Sequence, residues 1–195
     1  MDISSNQKDA LTELINIGVG HAASTLNFLI DHKIRLTVPE IEIKSLQELK
    51  GAPPVEAESS SVSMNFHGDF SGNTSLTFPL ESARTLVAVL TGEAADSAEL
   101  DDLRSGTLAE VGNILLNGVM GSLSNMLAAS LDYSVPTYQE GYLNNLLGYQ
   151  QAEAVLMARA IFYIDELCIS GNIILFFELE SFHALLKAID EEVTA

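Results

Sequence analysis

The sequence predicts an α+β fold: an internally duplicated, pseudo-twofold domain with one antiparallel sheet built from both halves and two long helices on one face. Three observations lead there. Glu13-Leu-Ile-Asn16, followed by Val38-Pro39, recurs as Glu110-Val-Gly-Asn113, followed by Val135-Pro136. Both matches lie at an offset of 97, and twenty-two residues separate Asn from Pro in each copy. Further on, Gly72-Asn73 through Ser82 aligns with Gly171-Asn172 through Ser181 at an offset of 99, with seven identities. Finally, each half reads as a long helix, alternating strands and a shorter helix. A repeat of about 97 residues sharing one core is the economical reading of a 195-residue chain that is 47% hydrophobic. The expected organisation is a single domain, 1–195, made of repeats at about 5–92 and 100–191.

Taken in order, Ser4 or Ser5 caps the first helix, with Asp9 and Glu13 in its early turns. That helix is expected to run to about Ile30 and to break at Asp31-His32-Lys33. Residues 34–38 and 40–44 alternate apolar and polar, a strand signature, and Pro39 between them marks a bulge, an edge or a break. Gly51-Ala-Pro-Pro54 is a turn. Residues 62–66 and 74–78 form a hairpin around the turn formers of 67–72. A helix over 80–90 stops at Gly92, and the small, acidic stretch 93–99 links the halves. The second half replays this order: a helix over about 100–131, a strand around Pro136, a loop over 141–149, a longer hairpin (154–164 and 169–177) around Asp165-Glu166, and a helix over 181–189. Gly18 and Gly20 fall inside the first helix, where close packing of helix on sheet is the expected reason for them.

With 27 acidic and 9 basic residues the net charge is −18. Phosphate backbones and anionic lipid surfaces repel such a surface, so nucleic acid and membrane are excluded as partners. The single cysteine, Cys168, rules out an internal disulfide framework and fits a reducing compartment. Its neighbours Leu167 and Ile169 suggest a buried strand and a structural thiol. The N-terminal residues lack the pattern of a signal peptide, and no apolar run reaches the roughly 18 residues needed to span a bilayer. A soluble, cytoplasmic protein is expected.

The candidate chemistry lies on a polar row. At about 100° per residue, with Asp9 at zero, Glu13 falls near 40° and Asn16 near 340°. All three share one side of the helix, opposite Leu11, Leu14, Gly18 and Ala22. A Glu and an Asn at i, i+3 have Cβ atoms about 5–6 Å apart and can touch one small target. An amide is neither a general acid nor a general base, but it donates and accepts hydrogen bonds at once, which suits it to orient water. Ser/His/Asp order, metal-ligand spacing and a phosphate loop are all lacking, and His21, His32, His67 and His183 are scattered. The chain is expected to bind no cofactor of its own. A Glu/Asn pair can still catalyse a reaction whose other parts arrive with the substrate. A phosphorylated receiver domain carries its own phospho-aspartate, divalent cation and lysine, and needs only an aligned water, as in GTPases.

The spacing Asp/Ser-x3-Glu-x2-Asn-x22-Pro resembles the signature of the CheC/CheX/FliY phosphatases of bacterial chemotaxis. Asp9, Glu13, Asn16 and Pro39 match it in full; Glu110, Asn113 and Pro136 match in the second copy, where Gly106 replaces the Asp or Ser. The two motifs resemble CheC more than CheX, and no FliY-like C-terminal switch domain is recognisable. The resemblance implies a phosphatase acting on CheY-type response regulators, with Glu13/Asn16 and Glu110/Asn113 as catalytic pairs and Asp9, Pro39 and Pro136 in support or docking. It implies Mg2+ on the regulator, not on this chain, and the receptor deamidase CheD as a possible second partner. The runner-up is a non-catalytic adaptor, similar to the middle domain of flagellar switch proteins, that binds a receiver domain or CheD. A duplicated small-ligand binding domain is a third class, with no pocket motif to support it. Asn117 and Gly20 occupy matching places on the two polar faces, and Met120 lies near that face as a docking contact or a half-buried residue.

Overall fold

A computed structural model describes residues 3–29, 33–45, 48, 58–93, 98–142, 154–164 and 167–193. The first helix, α1 (Ser5–Leu29), opens with a reciprocal cap. Ser4 Oγ accepts from the Gln7 N–H at 3.2 Å, and Gln7 Oε1 accepts from the Ser4 N–H at 3.0 Å. Strands β1 (Ile34–Thr37) and β2 (Ile41–Ser45) follow, with the break at Pro39 between them. Next come β3 (Glu58–Gly68), β4 (Gly72–Pro79) and helix α2 (Leu80–Thr91). Gly92 ends α2 with φ 76°, and its N–H donates to Ala88 O, the left-handed stop expected of glycine there. The second half holds α3 (Ala98–Met126), β5 (Leu131–Tyr133), β6 (Thr137–Tyr142), β7 (Ala154–Ile164), β8 (Leu167–Phe177) and α4 (Leu179–Val193).

All eight strands join one antiparallel sheet in the order β1-β7-β8-β4-β3-β5, with β2 also paired to β7 and β6 to β3. The halves exchange edges: β1 and β2 pair with the second hairpin, while β5 and β6 pair with the first. At the centre Ser75 faces Ile174, its own counterpart at the 99-residue offset, so the duplication axis passes through that pair. Two ring pairs flank it, Phe66–Phe177 at 5.5 Å and Phe78–Phe162 at 5.2 Å, with Phe78 and Phe177 themselves counterparts. Helices α1 and α3 cover the core with Leu11, Ile15, Val19, Leu26, Leu115, Leu116 and Leu123. None of the helices among the described residues is long and apolar enough to cross a membrane.

Several local expectations change. Helix α3 ends at Met126, short of Leu131. Ala128 takes φ 48°, the Ala129 N–H donates to Ser124 O at 2.9 Å, and the Ala128 N–H donates to Asn125 O at 3.4 Å. That is a Schellman stop with alanine in the glycine position, so composition hid it. At its other end α3 begins at Ala98, inside the stretch assigned to the linker, and Gly106 lies well within the helix. Gly141 belongs to β6, while the turn at 51–54, the rest of the 141–149 loop and the Asp165-Glu166 turn lie outside the described residues. Cys168 sits on β8 but is exposed, because strand alternation puts it with Ser170 and Asn172 on the less covered face, opposite the buried Ile169 and Ile173. Gly18 packs on a helix, not on the sheet. A Cβ there would stand 2.6 Å from both Gly118 O and Val119 Cα, so α1 and α3 cross backbone to backbone. Close helix–sheet approach belongs to Gly112, whose Cβ would meet Val62 at 2.5 Å, and Gly20 faces open space.

Candidate functional site

On α1, Asp9 and Glu13 are exposed and Asn16 is half-buried, as the helical offsets require. Asn16 is fully engaged by main chain. Its Nδ2 donates to Val38 O at 2.8 Å and to Thr12 O at 3.0 Å, and its Oδ1 accepts from the Val38 N–H at 2.8 Å. The side-chain amide thus pairs with both polar groups of one peptide residue, much as a neighbouring strand would. The need for a partner is clear: Val38 is 1% exposed and lies in the break before the exposed Pro39, outside both strands. The twenty-two-residue spacing from Asn16 to Pro39 therefore has a structural reason, because it brings the peptide before the proline under the amide. Both Asn16 amide hydrogens and one of its two oxygen lone pairs are in use.

The second copy repeats the positions and not the bonds. Glu110 is exposed and Asn113 half-buried on α3. Here Asn113 Oδ1 accepts from Asn117 Nδ2 at 2.7 Å, and among the described residues Asn113 Nδ2 has no acceptor. Val135, the counterpart of Val38, is 84% exposed. Its bend is held from the sheet instead: the Ser134 N–H donates to Asn65 O and the Asn65 N–H to Ser134 Oγ, each at 2.9 Å. Pro136 is half-buried beside it. A Cβ on Gly106 would meet nothing within 4 Å, so the place held by Asp9 in the first copy is bare helix surface in the second. Met120 is 1% exposed and belongs to the core, not to a docking face.

Two features were not read from the sequence. Each Glu borders an apolar groove. Glu13 edges one of about 170 Å³ with Leu14, Ile17, Met126 and Ile189; Glu110 edges one of about 540 Å³ with Val111, Ile114, Leu26 and Leu90. The grooves are duplicates, since Leu14/Val111 and Ile17/Ile114 are 97 residues apart and Leu90/Ile189 are 99 apart. The available signal was Ile17 and Ile114, apolar residues near 80° on the polar side of each wheel. The other feature is a tie between α3 and β6, six residues before Glu110. Arg104, 9% exposed, donates to Glu140 from Nε at 2.6 Å and from Nη2 at 3.0 Å. The Tyr138 hydroxyl also donates to Glu140 and lies 3.3 Å from Ser60 Oγ. Burial works against the Arg104 charge, but Glu140 and Tyr138 outweigh it and hold the guanidinium above its ordinary range. Burial, then the bond to Glu140, pushes the Tyr138 hydroxyl up.

Known proteins are similar to this chain in sequence and in fold. The CheC-like family model matches residues 7–43, the segment that holds Asp9, Glu13, Asn16 and Pro39. "CheY-P phosphatase CheC" of Bacillus subtilis is 32% identical over 141 residues, 69% of this chain and 66% of that protein. "Flagellar motor switch phosphatase FliY" of the same organism is 23% identical over 137 residues, 69% of this chain and 36% of that protein. The alignments thus span about two thirds of the first relative and about a third of the second. Among solved structures, FliY of Thermotoga maritima superposes with a TM-score of 0.78 at 17% identity, covering 98% of this chain and 100% of that one. A chain of the CheX-CheY-BeF3-Mg2+ complex from Borrelia burgdorferi gives 0.52 at 17% identity, over 91% and 98%. These two likenesses establish the fold, and with the identity to the Bacillus phosphatase and the match over the Asn16 helix, the chain belongs to the CheC-like family.

Proposed function

We propose that this protein accelerates hydrolysis of the phospho-aspartate on a CheY-type receiver domain, chiefly through Glu110 and Asn113. The observation that carries the reading is the Asn113 amide, half-buried beside an exposed Glu and with its donor group unoccupied among the described residues. In this mechanism the receiver supplies the phosphorylated carboxylate, Mg2+ and a lysine. Glu110 pairs with the regulator's lysine and fixes the docking. Asn113 aligns a water for in-line attack. The water oxygen bonds to phosphorus as the bond from phosphorus to the aspartyl oxygen breaks, and the proton leaves with the phosphate. Relatives named CheY-P phosphatases support the choice of substrate.

The first pair, Glu13 and Asn16, takes the lesser share. To reach a ligand in the same way Asn16 must release Val38 and Thr12, three hydrogen bonds in all. At about 1 kcal/mol each that costs roughly 3 kcal/mol, on the order of a hundredfold in occupancy of the open form. Asp9, Pro39 and Pro136 act as support, Pro39 by leaving Val38 outside the strands for Asn16 to hold.

The test is loss of phosphate from a phosphorylated CheY-type receiver in Mg2+, with and without this protein. The wild type is expected to speed the loss, and Asn16→Ala/Asn113→Ala to abolish the effect. If the wild type binds the phosphorylated receiver and leaves its lifetime unchanged, the catalytic reading fails and a non-catalytic adaptor takes its place.

A further inference from the structure

We infer that Asn117 is a positioning residue for Asn113: its Nδ2 holds Asn113 Oδ1 at 2.7 Å and so decides which end of the amide faces the substrate. The inference rests on the phosphatase reading above. A primary amide is chemically two-ended. A half-turn about its last bond exchanges an acceptor for two donors, and that torsion is broad and nearly two-fold when nothing fixes it. Asn117 stands four residues on, one turn along the same face, and is exposed. Its donation turns Oδ1 along the helix toward residue 117. Both N–H groups of Asn113 and the second lone pair of Oδ1 stay available. Those groups suit the alignment of a water beside a phosphoryl group. An N–H can hold a phosphoryl oxygen while the lone pair takes a water hydrogen, leaving the water's own lone pair aimed at phosphorus.

The first copy shows why a side chain is needed. There the amide is oriented by the main chain of Val38, at the expense of its donors. The place equivalent to Asn117 is Gly20, where even a Cβ would meet nothing within 4 Å. In the second copy the bend is held by Asn65 instead, so no main chain orients Asn113 and a neighbouring amide does so.

The experiment compares Asn117→Ala, Asn117→Asp and Asn117→Gln with the wild type, measuring turnover against the concentration of phosphorylated CheY-type receiver in Mg2+. Asn117→Ala is expected to lower the maximal rate about fivefold, the weight of one hydrogen bond, with the half-saturating concentration unchanged. Aspartate only accepts at this position, so it captures Asn113 Nδ2 and holds the amide reversed; its maximal rate falls further than that of alanine. Asn117→Gln keeps a donor and recovers most of the rate. Thermal stability stays level across the series, since the side chain is exposed. The inference is overturned if alanine and aspartate turn over like the wild type, or if only half-saturation moves, which marks a docking residue. If the wild type itself does not speed phosphate loss, the phosphatase reading falls, and this inference with it.

Discussion

Asn16 and Asn113 occupy equivalent positions, yet removing each has a different consequence. Asn16→Ala strands the N–H and C=O of Val38, a residue that is 1% exposed. The expected loss is about 2–3 kcal/mol of unfolding free energy, against less than about 0.5 kcal/mol for Asn113→Ala, whose partner Asn117 is exposed and turns to water. Urea titration of the two variants checks the difference. The spacing that makes the two asparagines equivalent was legible, because offsets of 97 need only counting. The asymmetry between them was not, since it depends on how a peptide is turned in a strand break.

At the scale of the element, the helices show which glycines are required. Gly18→Ala drives a Cβ into the backbone of Gly118 and Val119, and neither can swing aside as a side chain would. It is expected to cost about 1–3 kcal/mol. Gly20→Ala, two residues on and in open space, is expected to gain about 1 kcal/mol from helix propensity alone. Thermal or urea midpoints that move in opposite directions meet this expectation; equal shifts contradict it. Sequence pattern placed both glycines in a helix but could not say which neighbour each touches, because a small residue permits close approach to helix or sheet alike. Element ends behaved in the same way. Gly92 announced the end of α2, while α3 stops on Ala128 in a left-handed conformation that composition does not advertise.

For the whole molecule, the duplication carried most of the fold. Two copies of one α-to-β order in a chain of 195 residues are most simply read as sharing one core and one sheet. Which strands pair was not legible. The exchange of β1 and β2 onto β7, and of β5 and β6 onto β3, is decided by register and by side chains brought together only on folding. That exchange also sets the site. It lays the Val38 peptide under Asn16 in one half and ties the Ser134–Pro136 bend to Asn65 in the other, so a near-symmetric fold presents one engaged amide and one available amide.

The most direct measurement is the maximal rate of receiver dephosphorylation by Asn16→Ala and Asn113→Ala, each as the full chain with a saturating excess of phosphorylated receiver. Asn113→Ala is expected to keep only a few per cent of the wild-type acceleration, because opening Asn16 costs roughly a hundredfold. Asn16→Ala is expected to keep at least about half the wild-type rate, the effect of losing a copy that contributes on the order of one per cent. The reverse ranking, or equal losses from both, contradicts the claim that the Asn113 amide, with its donors available, carries the chemistry.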